Sequence, residues 1–218
     1  MKITNLLYLF LIVATSNILA DIPLSTEETA LFQAIKGGNI NQVQNVLKSY
    51  ELQLPNKGVL NEIRDKNNDP ILITAVKTEK PAIVNLLLDR EDYYKTNINP
   101  NVKDQSGMTP LHWAVKFVNP LIISKLLKKG ANLNIQDQYG ATPLIFATSM
   151  SVRKSPYLNN EKLQLLPGIV QMLIAAGTNV NLKNSDGKTA EDLVSEPGVK
   201  YPAAANIIKR FLEKAKKA

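Results

Sequence analysis

The 218-residue chain has no cysteine, one histidine and one tryptophan. Without thiols it forms no disulfide, no thiolate metal site and no cysteine nucleophile. The single histidine, His112, has no cluster of carboxylates near it in sequence, so no zinc site is predicted. Glycine-rich phosphate loops and nucleophile elbows are also missing. We therefore expect no catalysis, no cofactor and no small-molecule substrate.

A strong charge of one sign is also missing. Lys and Arg number 26 against 19 Asp and Glu, a formal charge of +7 that is spread along the chain. Nucleic-acid binding usually concentrates basic residues on one face with aromatic residues between them. The densest basic stretch, 209–217, is typical of the solvated end of a last helix. Adhesion to nucleic acid or an anionic membrane is retained only as an alternative.

Long hydrophobic runs are scarce. The run 6–14 is about half the length of the roughly 18 to 20 residues that cross a bilayer. It follows a basic residue, Lys2, and precedes small residues, which is typical of a cleaved signal peptide. We predict a signal peptide over 1–20 and an exported mature chain over 21–218, without a transmembrane segment.

The cleavage site has two candidates. Ala20 offers a small residue at the cut, although Ile18 lies three positions back where a smaller residue is preferred. Cleavage after Ser16, with Ala14 three positions back, is the alternative. Either product would be periplasmic or secreted.

Two similar segments, 104–136 and 137–183, dominate the rest of the chain. Gly107 and Gly140 are 33 residues apart, a period typical of stacked helical repeats. The first segment carries the pattern D-x-x-G-x-T-P-L-H-x-A, followed by L-L-x-x-G-A-x-x-N. Weaker copies cover 25–50, 65–96 and 184–214.

The residues of the best copy explain its local structure. Thr109 supplies an N-cap hydroxyl, and Pro110 is tolerated in the first helical turn because its missing N–H would be unpaired there. Gly130 is suited to the left-handed residue that ends a helix, and Asn132 and Asn134 to the polar turn beyond it. Asp65, Asp104 and Asp137 recur at turns and are predicted to cap the backbone there. The copy at 65–96 has Asn68 in place of the turn glycine and Pro70 in place of threonine, so its helix start is less well defined.

These segments resemble ankyrin repeats. The resemblance implies an all-α ankyrin-repeat solenoid of about five helix-turn-helix repeats with finger loops, acting as a monomeric protein-binding module. It also implies that His112 ties neighbouring loops together by hydrogen bonds. Atypical first and last repeats are expected, because one side of each faces water.

Three stretches interrupt the period, at 51–64, 89–103 and 149–168. We expect them to form loops, because stacked helices cannot absorb added residues. Each could be sequence drift or a partner-specific contact.

The resemblance places partners on finger tips and on the inner face of each first helix. Of the large apolar residues there we expect Met108, Phe117, Tyr139 and Met150 to be exposed, with Phe117 and Tyr139 as anchors. Alternatively, Phe117 and Met150 lie in the core under the insertion at 149–168. Trp113 is expected in the core. The predicted contact set is Gln105, Ser106, Met108, Lys116, Phe117, Gln138, Tyr139, Met150, Lys66, Asn67 and Lys77.

The functional prediction is an exported module that holds an unidentified protein on its concave face. A structural or inhibitory accessory of an exported enzyme is a further alternative. Ankyrin-like repeats share a scaffold and differ on the binding face, so the fold alone does not name the partner.

Overall fold

The structure is a computed structural model that describes residues 26–53, 59–89, 98–152 and 159–217. The predicted signal peptide lies outside the described residues, as does the middle of each of the three predicted insertions.

The described residues form ten α-helices in five antiparallel pairs. The first helix of each pair packs on its own partner and on the first helix of the next pair, which gives a stack. The expectation of an all-α solenoid of about five repeats is confirmed. The inner helices are α1 (Thr26–Gly37), α3 (Ile71–Lys77), α5 (Pro110–Lys116), α7 (Pro143–Val152) and α9 (Ala190–Val194); the outer helices are α2 (Ile40–Gln53), α4 (Pro81–Leu88), α6 (Pro120–Lys128), α8 (Asn160–Ala175) and α10 (Pro202–Lys216).

Little else in the described ranges is regular. A short 3₁₀ helix spans Val59–Asn61, and an isolated antiparallel bridge joins Arg64 to Pro70. No β-strand is present in these ranges, and no helix within them is long and apolar enough to cross a bilayer.

Helix starts follow the local sequence. Thr109 caps α5: its side chain accepts the His112 N–H, and the His112 ring accepts the Thr109 N–H. Outer helices α4, α6 and α10 each begin at a proline, whose missing N–H costs nothing in the first turn. The predicted cap at Thr109 is confirmed.

Four fingers join consecutive repeats, at 64–69, 103–108, 136–141 and 183–188. Each is headed by a side chain whose Oδ1 accepts the backbone N–H groups two and four residues later, at 2.9 to 3.1 Å. The predicted capping by aspartates is therefore confirmed, and the last finger uses an asparagine in the same way. The four heading residues are Asp65, Asp104, Asp137 and Asn184.

The finger without a glycine keeps the same backbone. Asn68 adopts a positive φ of 60°, a region that asparagine tolerates better than most side chains. Helix α3 then begins at Ile71 after Pro70, which makes no side-chain cap. The helix start that was uncertain from the sequence therefore lies where the repeat pattern puts it.

The hydrophobic core runs continuously between the layer of inner helices and the layer of outer helices. Leucines of successive inner helices, Leu72, Leu111 and Leu144, are at most 1 % exposed. Burying one such side chain stabilises the fold by about 1.5 to 3 kcal/mol. The small residues Ala75 and Ala114 are also buried, which allows close approach of neighbouring inner helices.

The insertion at 149–168 is mostly helical where it is described, so the loop prediction for this segment was wrong. Helix α7 continues to Val152, and α8 begins at Asn160. Pro167 within α8 corresponds to Pro120, which begins α6. The two prolines are 47 residues apart, the same separation as that between Gly130 and Gly177, which follow the ends of these helices. The stack accommodates the described added residues because they lengthen α7 and α8 beyond the ends that inner and outer helices of other repeats have.

Glycine at position 140 permits two neighbouring fingers to touch. A Cβ there would lie 2.7 Å from the Ser185 nitrogen, which donates a hydrogen bond to the Tyr139 carbonyl at 2.9 Å.

Gly177 has a similarly positive φ, but a Cβ at that position would have nothing within 4 Å. We expect Gly140→Ala to lower the free energy of unfolding by about 1 to 3 kcal/mol more than Gly177→Ala, because only the first adds overpacking to backbone strain. Urea denaturation of both variants measures the difference; equal losses would contradict the close-approach role.

Candidate partner-binding face

The candidate face is formed by the inner helices and the fingers. Inner-helix residues at equivalent register positions point to the same side of the stack, so their side chains form columns along it. One column contains Thr74, Trp113 and Phe146 on α3, α5 and α7, and about one turn later α1, α3 and α5 carry Lys36, Lys77 and Lys116.

Trp113 lies at the centre of this face. Its ring packs against the core and is half-buried, so the expectation that it is a core residue is partly correct. The indole N–H donates to the Asp104 carboxylate at 2.8 Å, which fixes the ring. The Nζ atoms of Lys77 and Lys116 lie 3.9 and 4.1 Å from the ring centroid, as in cation–π pairs.

Phe117 lies beside Trp113. The two ring centroids are 5.7 Å apart with an interplanar angle of 30°, and Phe117 is half-buried. The added part of α8 approaches the same ring: the Lys162 Nζ is 5.9 Å from the Phe117 centroid. Phe117 therefore lies between the full exposure expected of an anchor and the core position of the alternative.

Lys162 also links distant repeats. Its ammonium pairs with the Glu79 carboxylate at 2.9 Å, and Glu79 lies in the turn between α3 and α4. The added turns of α8 therefore reach past the third repeat to the second. The insertion thus contributes a contact at the edge of the face.

The predicted exposure of the large apolar residues is only partly correct. Tyr139 is 67 % exposed at its finger tip. Met108 is 7 % exposed, because the Asp104 side chain and backbone both bind its backbone and turn it into the base of the finger. Met150 is 4 % exposed and belongs to the core cluster, in agreement with the alternative for that residue.

The polar members of the predicted set lie on the surface. Lys66, Asn67, Gln105 and Gln138 are exposed on their fingers, whereas Ser106 is half-buried. Ser106 is partly covered because its carbonyl accepts the Gln138 N–H of the next finger at 2.9 Å.

Ion pairs hold Lys36 and Lys77 against the fingers. Lys36 pairs with Asp65 and Lys77 with Asp69, each at 2.6 Å. Burial opposes ionisation of Asp65, but hydrogen bonds from Lys36 and from the N–H groups of Asp69 and Asn67 lower its pKa below 3.8. Asp65 therefore stays charged and keeps Lys36 in place.

His112 has a structural environment. Its Nε2 lies 3.0 Å from the Ala141 carbonyl, which can only accept, so Nε2 carries the proton. Its Nδ1 accepts the Thr109 N–H at 3.1 Å. Burial lowers the pKa of His112 below 6.5, although the Ala141 carbonyl and two nearby aspartates oppose that shift. A neutral ring thus joins α5 to the next finger, as the resemblance implied.

Metal binding has no support within the described ranges, where no group of three or more His, Asp or Glu side chains could hold an ion. The sequence reasoning missed two contributors to the face, Lys36 and Lys162. Lys36 could have been found by aligning the inner helices, since it shares a register position with Lys77 and Lys116. Lys162 had no such signal, because it lies in the insertion.

Comparisons with known proteins agree with this geometry. Residues 92–184 match the family model described as ankyrin repeats, in three copies. A protein of Rickettsia bellii (strain RML369-C) named as an ankyrin repeat protein is 39 % identical over 64 residues, which is 29 % of this chain and 27 % of the relative.

A second relative, named as ankyrin repeat protein FPV222 of fowlpox virus (strain NVSL), is 31 % identical over 159 residues. That match covers 72 % of this chain and 18 % of the relative. The chain thus spans about a quarter or less of the curated relatives it matches.

Because His112 is the only histidine, its effect on stability can be isolated. Its pKa is lowered on folding, so below about pH 6.5 the unfolded chain takes up a proton that the folded chain does not. We expect stability to fall as the pH drops from 7.5 to 5.5, and His112→Gln to remove most of that fall. Urea midpoints at both pH values test this; an unchanged pH dependence in the variant would refute it.

Proposed function

We propose that this chain, an all-α solenoid in which residues 92–184 match the family model described as ankyrin repeats, is an exported module that holds another protein on the face of its inner helices and fingers. Ankyrin repeats are in general protein–protein interaction modules, and their stacking creates extended concave binding surfaces. We infer a binding role without catalysis, since the one imidazole serves to join two repeats.

The observation that supports this proposal best is the aromatic centre of the face. Trp113 on α5 and Phe117 at its C-terminal end are half-buried, and Tyr139 is exposed on the neighbouring finger. Aromatic residues that are already fixed lose little conformational entropy on binding and are enriched at interface hot spots. The Asp104 bond fixes the Trp113 ring before any partner arrives.

Export rests on the sequence of residues 1–20, whose short apolar run follows a single basic residue. The proposed location is the periplasm or the medium. A partner search therefore belongs in those compartments.

Tyr139→Ala tests the face with little risk to the fold, because the side chain is largely exposed. We expect it to weaken affinity for a partner identified by copurification by about tenfold or more, the usual cost of truncating an aromatic anchor. Phe117→Ala should act in the same direction. Titration calorimetry with the purified partner measures both effects.

Leu121→Ala is the matched control, since Leu121 is 68 % exposed on outer helix α6. Its affinity should equal that of the unaltered chain. Strong loss with Leu121→Ala and none with Tyr139→Ala would place the interface on the outer helices and reject the proposed face.

The N-terminal mass of the protein recovered from fractions of its own cells tests export. We expect a mature chain that begins at Asp21, or at Asn17 for the alternative cut, in the periplasm or medium. An intact Met1 in the cytoplasm would reject export and leave the binding face to be tested inside the cell.

A further inference from the structure

The lysines of the inner helices occupy the same register position in the first three repeats. Lys36, Lys77 and Lys116 stand on the last turns of α1, α3 and α5. The corresponding positions in the last two repeats carry Ser149 and Glu196. We call Lys36, Lys77 and Lys116 the lysine column; it covers one half of the face.

Charge on the fingers and inner helices follows the same division. The stretches 64–77 and 103–116 together contain five basic and three acidic residues. The equivalent stretches 136–149 and 183–196 together contain two basic and five acidic residues. In the first repeat, the acidic Glu28 lies eight residues from Lys36, about 12 Å along α1. The positive potential is therefore centred on the second and third repeats.

The ion pairs of the column do not hide its positive charge. The side chain of Asp65 is 2 % exposed and that of Asp69 is 7 % exposed, whereas those of Lys36 and Lys77 are 42 % and 28 % exposed. Each ammonium has three donors, and its ion pair uses one. An approaching partner therefore meets ammonium groups and not the carboxylates behind them.

The spacing of the column is close to the repeat of one type of extended backbone, within the reach of flexible acidic side chains. Lys77 and Lys116 both lie over the Trp113 ring, so their Nζ atoms are at most about 8 Å apart, the sum of the two distances to its centroid. Packed helices are separated by about 8 to 10 Å. A polyproline II segment repeats every three residues, about 9.3 Å, so acidic side chains at every third position could face successive lysines.

We propose that the partner presents an extended acidic segment, with Asp or Glu at every third residue, along Lys36, Lys77 and Lys116. This inference rests on the proposed function and names the chemistry of the partner. Phe117, half-buried beside Trp113, supplies aromatic surface on which proline rings and polyproline II backbone pack. The acidic balance of the fourth and fifth repeats repels a polyanion that runs the full length of the face and tolerates a short segment.

Peptide binding to the full chain tests the spacing. The probe is a fluorescein-labelled EPPEPPEPP peptide, and its controls are the clustered EEEPPPPPP and the neutral QPPQPPQPP. In 0.15 M salt we expect saturable fluorescence anisotropy with the spaced peptide, binding at least tenfold weaker with the clustered one, and none with the neutral one. Equal affinity for the spaced and clustered peptides, or no saturable binding of either, would overturn the proposal.

Charge reversal tests the column. Lys77→Glu and Lys116→Glu should each weaken binding of the spaced peptide at least tenfold. Lys128→Glu, the same charge change on outer helix α6, should leave it within about threefold, because charges beyond the Debye length of about 8 Å are largely screened. Lys77→Gln keeps much of the side-chain packing but leaves Asp69 without its ion pair, so it should give an intermediate loss of binding with a lowered urea midpoint, and its affinity is measured where the variant is fully folded. Losses as large with Lys128→Glu as with Lys77→Glu would overturn the assignment.

Three further outcomes distinguish failure of this proposal from failure of the proposed function. Tighter binding of a twelve-residue oligothymidylate than of the spaced peptide, with the same lysine dependence, would replace the acidic segment with nucleic acid. A copurified protein whose affinity falls with Tyr139→Ala but not with Lys77→Glu would reject the acidic segment and preserve the proposed function. A protein partner insensitive to both variants would reject the two proposals together.

Discussion

The Asp104 carboxylate joins the scaffold to the binding face, and much of the structure depends on bonds of this kind. One of its oxygens accepts the Ser106 and Met108 N–H groups and thereby folds the finger. The other accepts the Trp113 indole N–H and fixes the ring. One side chain therefore sets both the local turn and the aromatic centre of the face. Because a helix pair buries its apolar face only against neighbours, a correctly folded finger is also what brings the next repeat into place.

The side-chain contacts that join neighbouring repeats differ along the stack, although all the repeats stack in the same way. His112 reaches the Ala141 carbonyl of the next finger, whereas Ile73 and Ile145 occupy its register position in adjacent repeats and contribute only apolar burial. In the last repeat Asp192 takes this position and caps Thr189. Further connections come from backbone bonds between fingers and from Asn101 and Asn134, whose side-chain oxygens accept the N–H groups of Asn132 and Asn179 in the next repeat. No single link is therefore required in every repeat.

Features set by nearby residues were predictable from the sequence. The Thr109 cap, the left-handed Gly130 and the finger aspartates depend on a few neighbouring residues, and all three predictions are confirmed. Exposure was harder to predict, because the burial of Met108 and Met150 depends on how the fingers and lengthened helices pack. The helical form of the described parts of the 149–168 insertion was not predictable from the period, because a period shows how many residues are added and not whether they extend the ends of helices.

The insertion at 149–168 also adds a contact between repeats that are not neighbours. In a simple solenoid each repeat contacts only its neighbours, so one repeat can open without disturbing those beyond. The pair between Lys162 and Glu79 connects the fourth repeat to the second and passes close to Phe117 of the third. Opening of the third repeat would therefore also disturb this longer link. Because the side chains of Lys162 and Glu79 are 27 % and 42 % exposed, this pair contributes about 1 kcal/mol or less, so most of the order of Trp113 and Phe117 comes from the bond to Asp104 and from packing on the core.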